Sequence, residues 1–178
     1  MEKINVYRLR DNKDPWFAKF MDIYRISFPF FEQRTLSQQE VAFADERYHL
    51  DLYIQGETCV AFIAYWEFPA YIYIEHLAVN PELRGQNMGS HILSNFAGQN
   101  AKTILLEIDP LVDDVSRKRF RFYEKLGYQM NTYRHFHPAY REGCPPHELI
   151  ILSLHKTLRE EEFNQFTADL NEVVMHFE

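Results

Sequence analysis

The stretch Leu77-Ala78-Val79-Asn80-Pro81-Glu82-Leu83-Arg84-Gly85-Gln86-Asn87-Met88-Gly89-Ser90 runs out of an apolar alternating segment and into a helical one. Upstream, Tyr71 to Val79 reads as a strand. Downstream, Met88 to Gln99 carries helical spacing and Thr103 to Ile108 a short strand. A strand-loop-helix-strand unit of this kind makes its two strands parallel. The loop between them exposes backbone amides, because a helix N-terminus supplies unpaired N–H groups and a partial positive charge. Gly85 and Gly89 permit close approach of a ligand, and Arg84 adds a cation, so the loop suits a phosphate group. Two glycines before a helix are a weak signal alone, since an ordinary turn has the same composition.

Before this unit, Ile4 to Leu9 alternates as an opening strand. Pro15 to Phe28 is helical, with Pro15 in its first turn, and after the break Phe28-Pro29-Phe30-Phe31-Glu32 a second helix is capped by Ser37 with Glu40 completing a capping box. Leu50 to Gln55 and Thr58 to Phe68 flank Gly56-Glu57, a hairpin signal that starts the sheet antiparallel. After it come a helix over about Ser116 to Leu126 stopped by Gly127, a strand from Tyr128 to Phe136, and a last strand from His147 to His155. Leu158, Phe163, Phe166, Leu170, Val173, Val174 and Phe177 mark an amphipathic C-terminal helix. It packs either on its own domain or at a homodimer interface, and the sequence leaves both open. The expected fold is α/β (α+β): one mixed, mostly antiparallel sheet of six to seven strands with helices on both faces.

The 178 residues suit one domain, residues 1–178, and the 46% hydrophobic and 25% charged composition is globular. The apolar run Cys59 to Trp66 is far shorter than the roughly 18 to 20 residues of a membrane helix, so no membrane association is expected. Met1 to Tyr7 lacks the basic start and apolar stretch of a signal peptide, which makes the cytoplasm the expected location. A net charge of −7 argues against a nucleic-acid partner and mildly favours cationic ligands. Cys59 and Cys144 form no disulfide framework and read as free thiols.

A second motif, Arg119-Phe120-Arg121-Phe122-Tyr123-Glu124-Lys125-Leu126-Gly127-Tyr128, is a helix ended by glycine and followed directly by an aromatic strand. With the first loop it resembles the GNAT superfamily of acetyl-CoA-dependent N-acetyltransferases. In that family [RQ]-x-x-G-x-[GA] after the fourth strand holds the coenzyme A pyrophosphate, and Tyr-Glu-Lys-Leu-Gly-[FY] ends the next helix. The resemblance spans about Leu50 to Leu154, with a coenzyme A core over about 71–128 and a helical extension over about 157–178. Asn87 stands where the family most often has the first glycine of the pair, a place asparagine tolerates because it adopts positive φ more easily than other non-glycine residues. Ser116 occupies the place of a frequent asparagine that contacts the pantetheine arm, and Arg119 replaces a usual alanine.

The resemblance implies a direct attack by a neutral amine on the thioester, which needs a path for the amine proton and stabilisation of the oxyanion. It implies acetyl-CoA bound by Arg84, Gly85, Gln86, Asn87, Met88, Gly89 and Ser90, with Leu77, Val79 and Ser116 along the pantetheine. Tyr123 would protonate the departing thiolate. Period-two alternation puts Tyr73, Glu75, Leu77 and Val79 on one face, so Glu75 would face the reaction centre as general base, its bland alternative being a solvated or ion-paired strand carboxylate. Glu107, Asp109, Tyr73 and Glu32 are candidates for holding the acceptor. His135, His137, Cys144 and His147 are ligand types whose spacing matches no standard zinc finger, so no metal is expected and they read as a polar strand end and loop bordering the acceptor site. A small-molecule primary amine is the expected acceptor. A protein N-terminus or lysine side chain is the alternative within the enzyme class, and a non-catalytic acyl-CoA-binding module is the rival from another class.

Overall fold

The computed structural model describes residues 2–178. Its strands are β1 (Asn5–Leu9), β2 (Tyr48–Gln55), β3 (Thr58–Glu67), β4 (Tyr71–Val79), β5 (Thr103–Ile108), β6 (Tyr128–Met130), β7 (His135–His137) and β8 (His147–Leu154). They form one eight-stranded sheet in the order β1-β2-β3-β4-β5-β8-β6, with β7 also on β8. Every neighbouring pair is antiparallel except β4 with β5. This is the expected mixed α/β architecture, including the parallel pair at the strand-loop-helix-strand unit. Gly56, at φ +60, makes the two-residue β2–β3 turn possible.

Helices α1 (Phe17–Ser27), α2 (Leu36–Ala44) and α5 (Glu160–Asp169) cover one face of the sheet; α3 (Met88–Gly98) and α4 (Asp114–Lys125) cover the other. Phe20, Tyr24, Phe62, Trp66, Tyr73 and Phe166 dominate the first core layer, and Ile63, Ile72, Ile92, Leu93 and Phe96 the second. The C-terminal helix runs on as a π-helical turn, Leu170–Val174, and buries Phe166, Leu170 and Val174 against the chain's own sheet. Among the described residues no helix is long and apolar enough to cross a membrane. Both cysteines are free thiols.

Three local expectations change. The strand expected over Tyr128 to Phe136 is two short strands, because Asn131 is buried and turned inward. Its amide donates to Ile151 O (3.1 Å) and Ser153 Oγ (3.0 Å), and its carbonyl oxygen accepts from Leu158 N (2.7 Å), which raises the strand count to eight. The cap of α2 is Thr35, not Ser37: Thr35 Oγ1 accepts from Gln38 N (3.1 Å) while Gln38 Oε1 accepts from Thr35 N (2.9 Å). The third change concerns β4. Its pairing with β3 steps from Tyr65–Ile74 to Ala64–His76 and leaves Glu75 as the extra residue of a β-bulge. The bulge resets the alternation, so Tyr73 lies in the α1/α5 core layer while Leu77 and Val79 lie on the α3/α4 side.

Candidate active site

β4 and β5 pair only from Tyr71–Thr103 to Tyr73–Leu105 and then part, so the backbone from Ile74 to Val79 has no β5 partner. The gap opens into a cleft of about 1060 Å³ lined by Leu77, Val79, Arg84, Gly85, Asn87, Met88, Gly89 and Ser90 and, across it, by Arg119 and Tyr123. Asn87 adopts φ 57, ψ 18, the left-handed conformation anticipated for it, and its side chain does not cap α3. The first α3 amides of Met88, Gly89 and Ser90 are therefore left for a ligand, because the helical bonds begin with His91 N to Asn87 O at 3.1 Å. A Cβ added at Gly89 would meet Val79 Cγ2 at 3.4 Å and Phe122 Cζ at 3.5 Å. That narrow opening, with exposed Arg84 beside it, fits a pyrophosphate. Gln86 is exposed and does not line the cleft.

Tyr123 lines the cleft from α4, and burial pushes its phenol up to about 12, opposed by the charge of Arg119. The proton therefore stays on the oxygen at neutral pH. Ser116 does not reach the cleft. Its hydroxyl accepts from Val112 N (3.1 Å) and Asp113 N (3.1 Å) and donates to Asp113 O (3.0 Å), closing the capping box of α4. A hydroxyl engaged in this way has nothing left for a pantetheine amide. Ser116→Ala is expected to cost about 1 to 3 kcal/mol of stability by leaving these amides unpaired, with coenzyme A affinity unaltered. Urea unfolding and calorimetric titration check the two halves.

Glu75 is not free to act as a base. Its side chain is 0% exposed, and Arg34 grips it with Nε to Oε2 at 2.9 Å and Nη2 to Oε1 at 3.0 Å. Trp66 Nε1 (2.7 Å) and the Tyr140 hydroxyl (2.9 Å) donate to the same carboxylate. Burial alone would raise its pKa, but the charges of Arg34 and His76 and these hydrogen bonds outweigh burial and hold it at about 2. Arg34 also donates to Val174 O (2.9 Å) and lies among the rings of Tyr48, Trp66, Tyr140 and Phe177. The pair ties the α1–α2 connection, the β4 bulge and the C-terminal segment together. No sequence signal marked Arg34, which lies far from Glu75 along the chain.

Glu107 lines the cleft floor, where it accepts from the Tyr73 hydroxyl and from His135 Nε2 (2.6 Å), with His137 Nε2 3.8 Å from its other oxygen. Burial raises its pKa, yet the nearby His137 and the His135 and Tyr73 hydrogen bonds hold it below the ordinary value. Tyr73 is thus a buried support for Glu107 and not a cleft residue. Asp109 faces Arg119 at 3.3 Å. Glu32 sits at the cleft on the 3₁₀ turn Phe30–Glu32, with His147 Nε2 3.8 Å from its Oε1. His137 and His147, read from sequence as a polar border, line this end of the cleft with Tyr140.

The parted parallel strands, the amide-lined helix start and the tyrosine opposite form one cleft with room for a phosphate-bearing ligand beside a phenol. Residues 44–130 match the acetyltransferase (GNAT) domain family model. YjbC of Bacillus subtilis, itself assigned as an acetyltransferase, is 30% identical over 112 residues. The match covers 62% of this chain and 54% of YjbC, so the chain spans about half the length of that relative. Among solved structures, a GNAT-family protein of Bacteroides thetaiotaomicron superposes with a TM-score of 0.88 at 24% identity, covering 97% of this chain and 98% of the other. Arabidopsis thaliana Naa50, in complex with the bisubstrate analogue CoA-Ac-MVNAL, gives 0.60 at 21% identity, covering 84% and 97%. The chain has the fold of the GNAT acetyltransferases, and its residues 44–130 match that family's domain model.

Proposed function

We propose that this protein transfers an acetyl group from acetyl-CoA, bound as a substrate in the β4–β5 gap, to a primary amine of a small molecule. The observation that carries the reading is the conjunction in one cleft of the Asn87–Ser90 amide nest and the protonated Tyr123 phenol. In this reading the Met88, Gly89 and Ser90 amides with Arg84 hold the pyrophosphate, and backbone amides near Leu77 and Val79 pair with the pantetheine and polarise the carbonyl. Nitrogen bonds to the carbonyl carbon as the carbon–sulfur bond breaks, and Tyr123 supplies the proton that sulfur gains. Glu75 holds the cleft wall in shape through Arg34, Trp66 and Tyr140. Glu107 and Asp109 make the acceptor end anionic, which suits an ammonium group.

Incubating the protein with acetyl-CoA and a panel of primary amines, while following free thiol, tests the reading. The panel includes small amines and peptides with free N-termini or lysines, so it separates the acceptor classes. Tyr123→Phe is expected to lower kcat about 10-fold or more while leaving acetyl-CoA affinity unchanged, because the hydroxyl meets negative charge only as the thioester breaks. A thiol pKa near ~8.5 makes the leaving group tolerable unaided, which keeps the effect at the low end of general acid catalysis. Calorimetric titration beside the thiol assay checks it. A variant that loses binding and melting temperature together would make Tyr123 a packing residue, and a wild type that binds without turnover would make the protein a binding module.

A further inference from the structure

With Glu75 engaged, the cleft holds three other carboxylates, and two of them have partners: Glu107 with Tyr73 and His135, and Asp109 with Arg119. Glu32 is different. Among the described residues no hydrogen bond reaches its carboxylate, and the nearest basic atom, His147 Nε2, stands off at 3.8 Å. The side chain keeps 23% of its exposure, enough to meet a ligand from the cleft. Its turn is nevertheless firmly held. His76 Nε2 donates to Glu32 O at 2.9 Å, Gln33 Nε2 donates to Phe28 O at 2.6 Å, Arg141 Nε donates to Gln33 O at 3.1 Å, and the Arg141 guanidinium lies 4.0 Å from the centre of the Phe30 ring. The His76 bond latches the turn to β4 beside the bulge, so Glu32 is fixed next to the unpaired backbone leading to Leu77 and Val79.

We propose that Glu32 is the general base of this site, taking the proton that the acceptor ammonium must lose before its nitrogen can attack; this rests on the acetyl-transfer reading above. The proton balance closes without any other reactant. The ammonium gives one proton to the Glu32 carboxylate, which later releases it to water. Nitrogen then bonds to the acetyl carbon, sulfur leaves with the carbon–sulfur electron pair and takes the Tyr123 proton, and the proton shed by nitrogen as the amide forms restores the phenol. Burial and the charges of Asp109 and Glu107 raise Glu32 against the opposition of Arg119, to about 7, which suits a base working near neutral pH. The groups facing it are Asp109 and Glu107 from β5 and its end, Arg119 from α4, and His147 from β8 with the His137 ring 5.6 Å behind it. Burial lowers the His147 pKa, as does His137, so His147 meets Glu32 mainly as a neutral ring.

Glu32→Gln keeps the shape and removes the proton acceptor. Wild-type kcat/KM is expected to rise with pH through about 7, and the variant to lose roughly 10² to 10⁴ of it, its remaining rate following the ionisation of the amine alone. A second readout needs no turnover. A folded carboxyl raised from 4.5 to about 7 makes the unfolded chain ionise first, so wild-type stability falls across that window. Glu32→Gln should therefore melt with the wild type below about pH 4 and above it at pH 8. Calorimetry with acetyl-CoA alone should give equal affinity for both proteins. A variant with wild-type rates overturns the proposal. So does one whose KM rises while kcat and its pH profile stay put, which would make Glu32 a fixed contact for the ammonium. Failure of the wild type to bind acetyl-CoA, or binding without thiol release across the panel, overturns the transfer reading and the base with it, and calorimetry identifies that case before any kinetics.

Discussion

Arg34→Met lowers the thermal midpoint by roughly 6 to 20 °C. Arg34 and Glu75 have side chains 1% and 0% exposed, so removing the guanidinium leaves a buried carboxylate with the Trp66 and Tyr140 hydrogen bonds and His76 at 3.5 Å but without its main compensating charge. Breaking a buried pair from one side costs roughly 3 to 5 kcal/mol, and a domain of this size loses about 2 to 4 °C per kcal/mol. Glu75→Gln strands the guanidinium instead, and it too should act mainly on stability, since Arg34, Trp66 and Tyr140 all donate to the Glu75 carboxylate. The double variant should lose less than the sum of the singles, because each change removes the other's uncompensated charge. Acid should reproduce the effect. The Glu75 pKa is depressed from 4.5 to about 2, so the stability it contributes is complete above 4.5 and is lost as pH falls toward 2. Thermal melts of the three variants and a wild-type acid titration check this. A Glu75→Gln protein with wild-type melting and a selective kinetic defect recoverable at high pH would return the base to Glu75.

Much of the fold was legible because it is written in local patterns. Period-two segments bounded by Gly56-Glu57 define the β2–β3 hairpin, and the Val79 to Met88 transition fixes the one parallel pair. The conformation of the loop proposed to hold the pyrophosphate was legible for the same reason, since Gly85, Asn87 and Gly89 set it within a few residues of one another. What escaped depends on contacts distant in sequence. A bulge adds one residue without changing the apolar pattern, so Glu75 appeared to share a face with Leu77. Arg34 and Tyr140 reach Glu75 from either end of the chain, and a lone arginine in a loop carries no mark of the aromatic box it will enter. Ser116 misled differently: a serine at the third position of a helix satisfies a cap as readily as it contacts a ligand, and here Asp113 claims it. Glu32 reads from sequence only as an acceptor contact, because its distinguishing feature, a carboxylate that no hydrogen bond reaches among the described residues in a cleft of partnered carboxylates, exists only in three dimensions.

The double variant Arg84→Glu with Gly89→Val abolishes stabilisation by acetyl-CoA. Arg84 bridges the loop, donating to Val79 O at 3.2 Å and to Ser27 Oγ at 3.3 Å, so its charge stands over the cleft entrance beside the α3 amides. Each unit of charge near a phosphate at about 4 Å is worth about 4 kcal/mol at an effective dielectric of 20, and reversal changes the sign of that contribution. Solvent screening at so exposed a loop reduces the figure, yet half of it still gives a loss on the order of 10² in affinity or more. At Gly89 the first added carbon already touches Val79 and Phe122 at 3.4 and 3.5 Å, so the valine methyls have only the amide opening to occupy. The unliganded fold should tolerate both changes, because Arg84 is exposed and Gly89 does not hold a positive φ. Wild type at ligand a hundredfold above Kd gains about 2.7 kcal/mol, a rise of about 5 to 11 °C in the midpoint. The double variant should melt near the unliganded wild type and show no rise at the same concentration. Equal rises in both proteins would remove the pyrophosphate from this loop, and with it the placement of the thioester beside Tyr123 and Glu32.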